Sequence, residues 1–275
     1  MPPLPAFVVL LAALLEAACA LAGVAHAQQA PASSSPEDIA RRLADPGAAL
    51  ISVPFQYNYL GSVGPAGDFH DQQLKIQPVI PFVGDSGKFI LRPILPLAWN
   101  QYPQSRDGIG DLFVQGYYIP TAGSAAHGTE FGFGAAALFD TASHATLGSG
   151  QYALGPAFIV VHKTRAWTVG ALANHIWSVG GDGDRDPVSS TSVQPFVTRN
   201  LADGWSLGFT SETSYNWKAR SSDAWTVPVG ITLSKVLRLG HTPISLGVGG
   251  FYNVDRPQYA NRWTARATLT LVFPE

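Results

Sequence analysis

The stretch Trp205–Trp217, WSLGFTSETSYNW, alternates apolar and polar side chains nearly throughout. In an extended strand Trp205, Leu207, Phe209, Tyr215 and Trp217 share one face, and Ser206, Thr210, Glu212, Ser214 and Asn216 share the other. A tryptophan stands at each end on the same face. Trp167 and Trp177 bracket a second segment in the same way. About ten residues tilted by ~45° rise some 24 Å, which matches the ~25 Å apolar band of an outer-membrane barrel, bordered above and below by aromatic girdles. Trp99, Trp225 and Trp263 mark other segment ends, so all seven tryptophans are candidates for a membrane-interface girdle. The competing reading makes them core anchors of a soluble β-protein.

The same period of two recurs in twelve candidate strands: 51–61, 70–82, 88–99, 109–120, 128–140, 150–162, 165–178, 190–200, 205–217, 225–237, 243–254 and 262–273. The seventh alternates weakly and the eighth is ambiguous. Short connections (Gly84–Gly87, Lys163-Thr164, Leu201–Gly204, Arg238–Thr242) take turns with longer ones (Ser62–Phe69, Asn100–Gly108, Thr141–Ser149, Val179–Ser189, Lys218–Ala224, Asp255–Asn261). Thr121–His127 is the longest of the short set. That alternation, with an even strand number, fits an antiparallel transmembrane barrel with both termini in the periplasm and no free edge. A soluble exported β-sandwich shows the same period but turns Leu207, Phe209, Ile231 and Leu271 into a dry core. Prolines 54, 78, 93, 156, 195 and 228 fall inside candidate strands, and each removes a ladder donor.

Charged residues make up only 13% of the chain against 46% hydrophobic ones, yet no stretch after residue 27 reaches the length of an apolar transmembrane helix. Residues 1–27 have the form of a signal peptide: an apolar run at Ala6–Leu15 and a small-x-small cleavage site at Ala25-His26-Ala27. Glu16 and the lack of a preceding basic residue depart from the pattern, and Glu16 also disfavours a lipoprotein signal at Cys19. Cleavage removes the only cysteine, so disulfide and thiol chemistry are excluded from the mature chain. It leaves 17 basic side chains against the 19 acidic ones less Glu16, which gives no basic footprint for nucleic acid. Residues 28–50 are expected to form a periplasmic leader with one short helix, capped by Ser35, opened by Pro36-Glu37-Asp38 and stopped at Asp45-Pro46-Gly47, with a plug as the helix's alternative role. Residues 51–275 form the barrel.

Several runs bear a family resemblance: Leu43–Tyr59 (LADPGAALISVPFQYNY), Gln77–Pro81 (QPVIP), Gly108–Leu112 (GIGDL), Leu147–Gly150 with Leu154–Pro156, Gly170–His175 (GALANH), Trp225–Pro228 and Phe273-Pro274. Over about residues 43–275 the chain resembles an outer-membrane transporter family of Gram-negative bacteria linked to phenol degradation (the MetA-pathway group, often labelled transporter or neuromedin U). The resemblance implies a porin-like barrel, with aromatic or hydrophobic solutes following only from the family's name. Many such barrels end on the aromatic residue itself, whereas this chain continues to Glu275.

The inward face offers Lys75, Gln77, Arg92, Gln115, Glu212, Arg262 and Arg266 as pore-lining residues, with Asp111 and Glu130 nearer the rims. Lys75, Arg92, Arg262 and Arg266 outnumber the mid-barrel Glu212, so an open pore is expected to prefer anions weakly. The other reading of the same charges is an ion-pair network that holds a narrow barrel shut. His70, His127, His144, His162, His175 and His241 show no metal-ligand spacing, Ser143-His144 lacks a base-orienting partner, and Asp182, Asp184 and Asp186 lack the closing glutamate of a calcium loop. The expected function is passive passage of small solutes across the outer membrane, without catalysis or cofactor. The expected surroundings are outer-membrane lipid and lipopolysaccharide, with the barrel-assembly machinery as a partner. A non-transporting structural or surface-binding barrel is the second reading, and the soluble sandwich the third.

Overall fold

The computed structural model describes residues 35–121, 128–239 and 242–273. The expected signal peptide at residues 1–27 and residues 28–34 of the expected leader, like His127, His241 and residues 274–275, lie outside them.

Sixteen strand segments form one antiparallel sheet. They are β1 (Ile51–Val63), β2 (Phe69–Ile76), β3 (Ile80–Gly84), β4 (Gly87–Asn100), β5 (Arg106–Ile109), β6 (Leu112–Pro120), β7 (Thr129–Phe139), β8 (Gln151–Lys163), β9 (Trp167–Gly181), β10 (Ser189–Asn200), β11 (Trp205–Ser211), β12 (Thr213–Asn216), β13 (Trp225–Thr226), β14 (Pro228–Leu239), β15 (Thr242–Asn253) and β16 (Trp263–Phe273). Four pairs (β2 with β3, β5 with β6, β11 with β12, β13 with β14) are single staves interrupted by a break, so the wall has twelve staves. β16 returns to β1 in register from Ile51 opposite Phe273 to Gly61 opposite Trp263, which closes the barrel. Closure leaves no sheet edge, the condition for placing a β-sheet in lipid.

The staves coincide with the strands expected from alternation, within three residues at their ends. The breaks have local causes. Gln77–Val79 interrupts the second stave at Pro78, and only Val79 bridges to Ser52 there. At Pro156, pairing of β8 with β9 skips from Leu154 opposite Trp177 to Ala157 opposite Asn174. Proline has no N–H for that rung. Pro54, Pro93 and Pro195 are carried within strands, each opposite a partner.

The outer face is apolar and open. Phe131, Phe133, Phe158, Leu207, Phe209, Ile231 and Val248 are all more than 40% exposed. All seven tryptophans are exposed, from 37% for Trp205 to 60% for Trp217. They stand at stave ends, Trp167 and Trp205 beside short turns and the other five beside long loops. A soluble sandwich would bury these side chains, and this chain displays them. Arg199 lies over the Trp167 ring at 5.1 Å and Lys235 over Trp205 at 4.8 Å. Cation–π pairs of this kind suit an interface where an apolar ring meets water and headgroups.

The interior is not uniformly polar. Inward residues of β4 and β6–β10 form an apolar cluster: Ile90, Tyr117, Ile119, Ile159, Val161, Leu172, Ile176 and Phe196 are each under 10% exposed. Small inward residues on β7 and β8, among them Ala136, Ala153 and Ala157, leave room for it. The opposite half of the wall, built mainly from β1, β11 and β14–β16, turns serines and threonines inward.

Candidate functional site

Helix α1 (Pro36–Leu43) forms as expected. The Ser35 hydroxyl accepts from the Asp38 amide at 3.1 Å, Pro36 opens the first turn, and Arg41 and Arg42 close the last. Hydrogen bonds from Arg41 and then Ser35 hold the Asp38 carboxyl below the usual carboxylate range. What the capping pattern left open is the helix's partner. Ile39, Ala40, Ala48 and Leu50 pack on Val236 and Val272, which face inward from β14 and β16. Gly204 adopts a left-handed conformation (φ 73°) in the turn before β11, where a side-chain carbon would meet Pro36 at 2.9 Å. After the helix, Asp45 caps a turn through the Gly47 amide at 2.8 Å. Gly47 then passes so close to Ile119 and Ile159 that a side-chain carbon would sit 2.8 Å from the former. Residues 36–50 thus run from one wall to the other and lie across the lumen at its short-turn end.

A chain of ions fastens the segment. Lys163 reaches Asp45 at 2.8 Å and Glu130 at 3.0 Å, and Lys88 reaches Glu130 at 3.0 Å. The Asp45 side chain is only 3% exposed. Glu130 is therefore neutralised between two lysines at the rim.

A second set of ions crosses the lumen higher up. Glu212 occupies the break between β11 and β12, on the ninth stave. Its carboxylate meets Arg266 of the twelfth stave at 2.8 Å and Lys75 of the second at 3.7 Å. In the closed ring two staves lie between those of Glu212 and Arg266, and four between those of Glu212 and Lys75, so the bridge crosses part of the bore. Asn58 accepts from Arg266 Nε at 2.8 Å, and the guanidinium lies 4.1 Å over the Phe251 ring. With both its charge and its donors engaged, Arg266 is fixed in place.

Between the bridge and the α1 segment lies a cavity of about 320 Å³. Hydroxyls and amides dominate its polar lining, among them Gln56, Gln194, Thr198, Thr232 and Thr268, while Leu172 and Phe196 form an apolar flank. Arg92 and Arg266 border it.

Of the residues expected to line a pore, Lys75, Arg92, Glu212 and Arg266 belong to this arrangement. Gln115 is buried and stands opposite Arg92 in register. Gln77 lies in the break of the second stave, where its backbone N–H donates to the Pro54 carbonyl. Arg262 corrects the expectation of a mid-barrel cation. It is exposed, precedes β16 by one residue, and bonds through its backbone to Gly61 and Asn253 at the loop end. Asp111 at the rim accepts from Ala142 and from both the amide and hydroxyl of Ser149, so it anchors a loop. Arg185 ties the 182–188 loop to the carbonyls of Ala145, Gly148 and Ser149. Ser143 bonds His144 at 3.1 Å, yet the same hydroxyl accepts from the Ile109 amide, a structural engagement. No group of three or more potential metal ligands occurs among the described residues.

Sequence reasoning missed the apolar cluster and the contacts that seat α1. For the cluster a signal existed: the seventh strand alternates poorly because Leu172 and Ile176 make its inward face apolar too, whereas the eighth is blurred by Thr191 and Arg199 on its outward face, beside Trp217 and Trp167.

No protein-family model matches the chain, and no curated protein matches it. Solved structures do. The chain is similar to the COG4313 outer membrane channel from Pseudomonas putida F1, with 16% identity over 82% of this chain and 94% of that one and a TM-score of 0.57. It is also similar to the NanC porin, with 12% identity over 82% of this chain and 100% of that one and a TM-score of 0.55. At these identities the likeness concerns the fold, which is that of a twelve-stranded outer-membrane barrel.

Proposed function

We propose that the chain is exported by its N-terminal signal to the outer membrane of a Gram-negative bacterium, where it passes small solutes passively. The observation that carries this reading is the contrast between its two faces. An apolar, aromatic-bordered exterior suits lipid. A hydroxyl-lined cavity bordered by guanidinium groups suits a hydrated solute. The likeness in fold to proteins named as channel and porin supports it. Because Leu172 and Phe196 flank the cavity, a solute with a small apolar or aromatic body fits better than one that is polar all round. This is in keeping with the aromatic compounds that the family resemblance suggests. The role is passage, without catalysis or cofactor. Outer-membrane lipid, lipopolysaccharide and the barrel-assembly machinery are its surroundings and partner in this reading.

A second reading, a closed structural barrel, draws on specific features: the segment laid across one end, the Glu212 bridge and the apolar half of the interior. Single-channel recording separates the two. A conducting barrel whose conductance rises when residues 35–48 are deleted is a channel narrowed by its own N-terminal segment. A folded barrel that stays silent with and without that segment is structural.

A further inference from the structure

The cavity between α1 and the Glu212 bridge carries an uncompensated charge. Its charged lining consists of Arg42, Asp45, Arg92 and Arg266. Asp45 is engaged by Lys163 and Arg266 by Glu212, each at 2.8 Å. Arg42 donates to the neutral carbonyl of Ala49. Arg92 has no carboxylate within ion-pair distance among the described residues, and its Nη1 is buried with no hydrogen-bond partner. The hydroxyl of Tyr117, the next large inward residue beyond Gln115, is buried and unpartnered as well. Leaving a guanidinium without a counter-charge in a low-dielectric interior is unfavourable, and burying one among apolar residues more so.

We propose that this cavity binds a small organic carboxylate, its anionic group paired with Arg92 and its carbon skeleton against Leu172 and Phe196. A guanidinium presents a planar fork of donors that matches a carboxylate. Gln56, Gln194 and Thr268 supply polar contacts around the same space. At about 320 Å³ the cavity stands at the small end of ligand pockets, the size of one aromatic ring or a short acid. A neutral solute of the same shape would leave Arg92 unpaired, so the site selects for charge. The assignment rests on the channel reading for the route by which the acid arrives.

The test uses the full mature chain folded in detergent micelles, with sodium benzoate as probe and benzyl alcohol as its uncharged counterpart. Binding is measured calorimetrically and corrected for micelles alone, and folding is checked by heat-modifiable migration. Benzoate is expected to bind at a single site, about tenfold or more tighter than benzyl alcohol. Arg92→Gln should abolish the difference and Arg92→Lys should retain part of it. Equal affinity of the unmodified chain for the two probes, or benzoate binding unchanged in folded Arg92→Gln, would overturn the site. Conductance measured in parallel keeps the two claims apart. A conducting barrel that does not discriminate benzoate refutes the site and spares the channel. Arg92-dependent binding in a silent barrel upholds the site and removes the channel.

Discussion

Leu207 and Ile231 stand 45% and 61% exposed on the outside of the wall, while Thr210, three residues from Leu207, lines the cavity. The barrel reading therefore ranks three substitutions. Leu207→Arg or Ile231→Arg sets a charge against the hydrocarbon at a cost of about 2–4 kcal/mol near the midplane. Thr210→Arg sets one in the lumen, where water and Glu212 are at hand, and should cost less. Folded yield in lipid vesicles measures the order, and greater damage from Thr210→Arg would mean the faces are reversed. The lumen adds a second expectation. Glu212→Gln removes the carboxylate that Arg266 and Lys75 share, so anion preference in a salt gradient should increase while the fold persists. These faces were legible in the sequence because alternation assigns every residue of a strand once one is known. The bridge itself was not. Residues 75, 212 and 266 are distant in sequence, and only the order of staves and the tilt of the wall decide which inward charges meet.

At the scale of elements, α1 was legible from its ends: a hydroxyl cap, a proline, acids first and bases last. Its docking was not, since caps mark where a helix begins and ends and not what it packs against. The structure supplies the cover, inward Val236 and Val272, and the fastening, Asp45 on Lys163. Removing one partner of that pair is informative. Lys163→Met leaves Asp45 buried without its cation; because Lys163 is itself a third exposed, the loss should fall below the ~3–5 kcal/mol typical of a fully buried pair, and it is borne by the segment's docking because the ladders of the wall are untouched. Protease cleavage within residues 36–50 should accelerate in that variant while the barrel stays resistant. Equal cleavage rates would show that the ion chain does not hold the segment. Acid acts on the same element from its other end. The Asp38 carboxyl titrates below its ordinary value, so the contribution of its contacts is complete above that ordinary value and is lost as pH falls through the lowered one. Loosening of α1 through this group should therefore begin only below the usual carboxylate range.

At the scale of the molecule, two hydrophobic surfaces coexist, one outward and continuous, one inward and confined to β4 and β6–β10. The inward cluster explains why the seventh strand reads poorly, as both of its faces are apolar. It also narrows the bore toward the side lined by serines and threonines, and the cavity lies between the two halves, with Arg266 on the hydroxyl side and Arg92 on β4 of the apolar side. Passage through this barrel is thus expected along one wall, past the Glu212 bridge and beneath α1, with Arg92 supplying an unpaired positive charge. The most direct measurement is the single-channel current of the refolded mature chain in a planar bilayer under a salt gradient, on protein whose folding is shown by heat-modifiable migration. Small discrete conductance steps with a reversal potential on the anion side are predicted. Cation preference would contradict the charge account, and silence from folded protein, with or without residues 35–48, would contradict the channel.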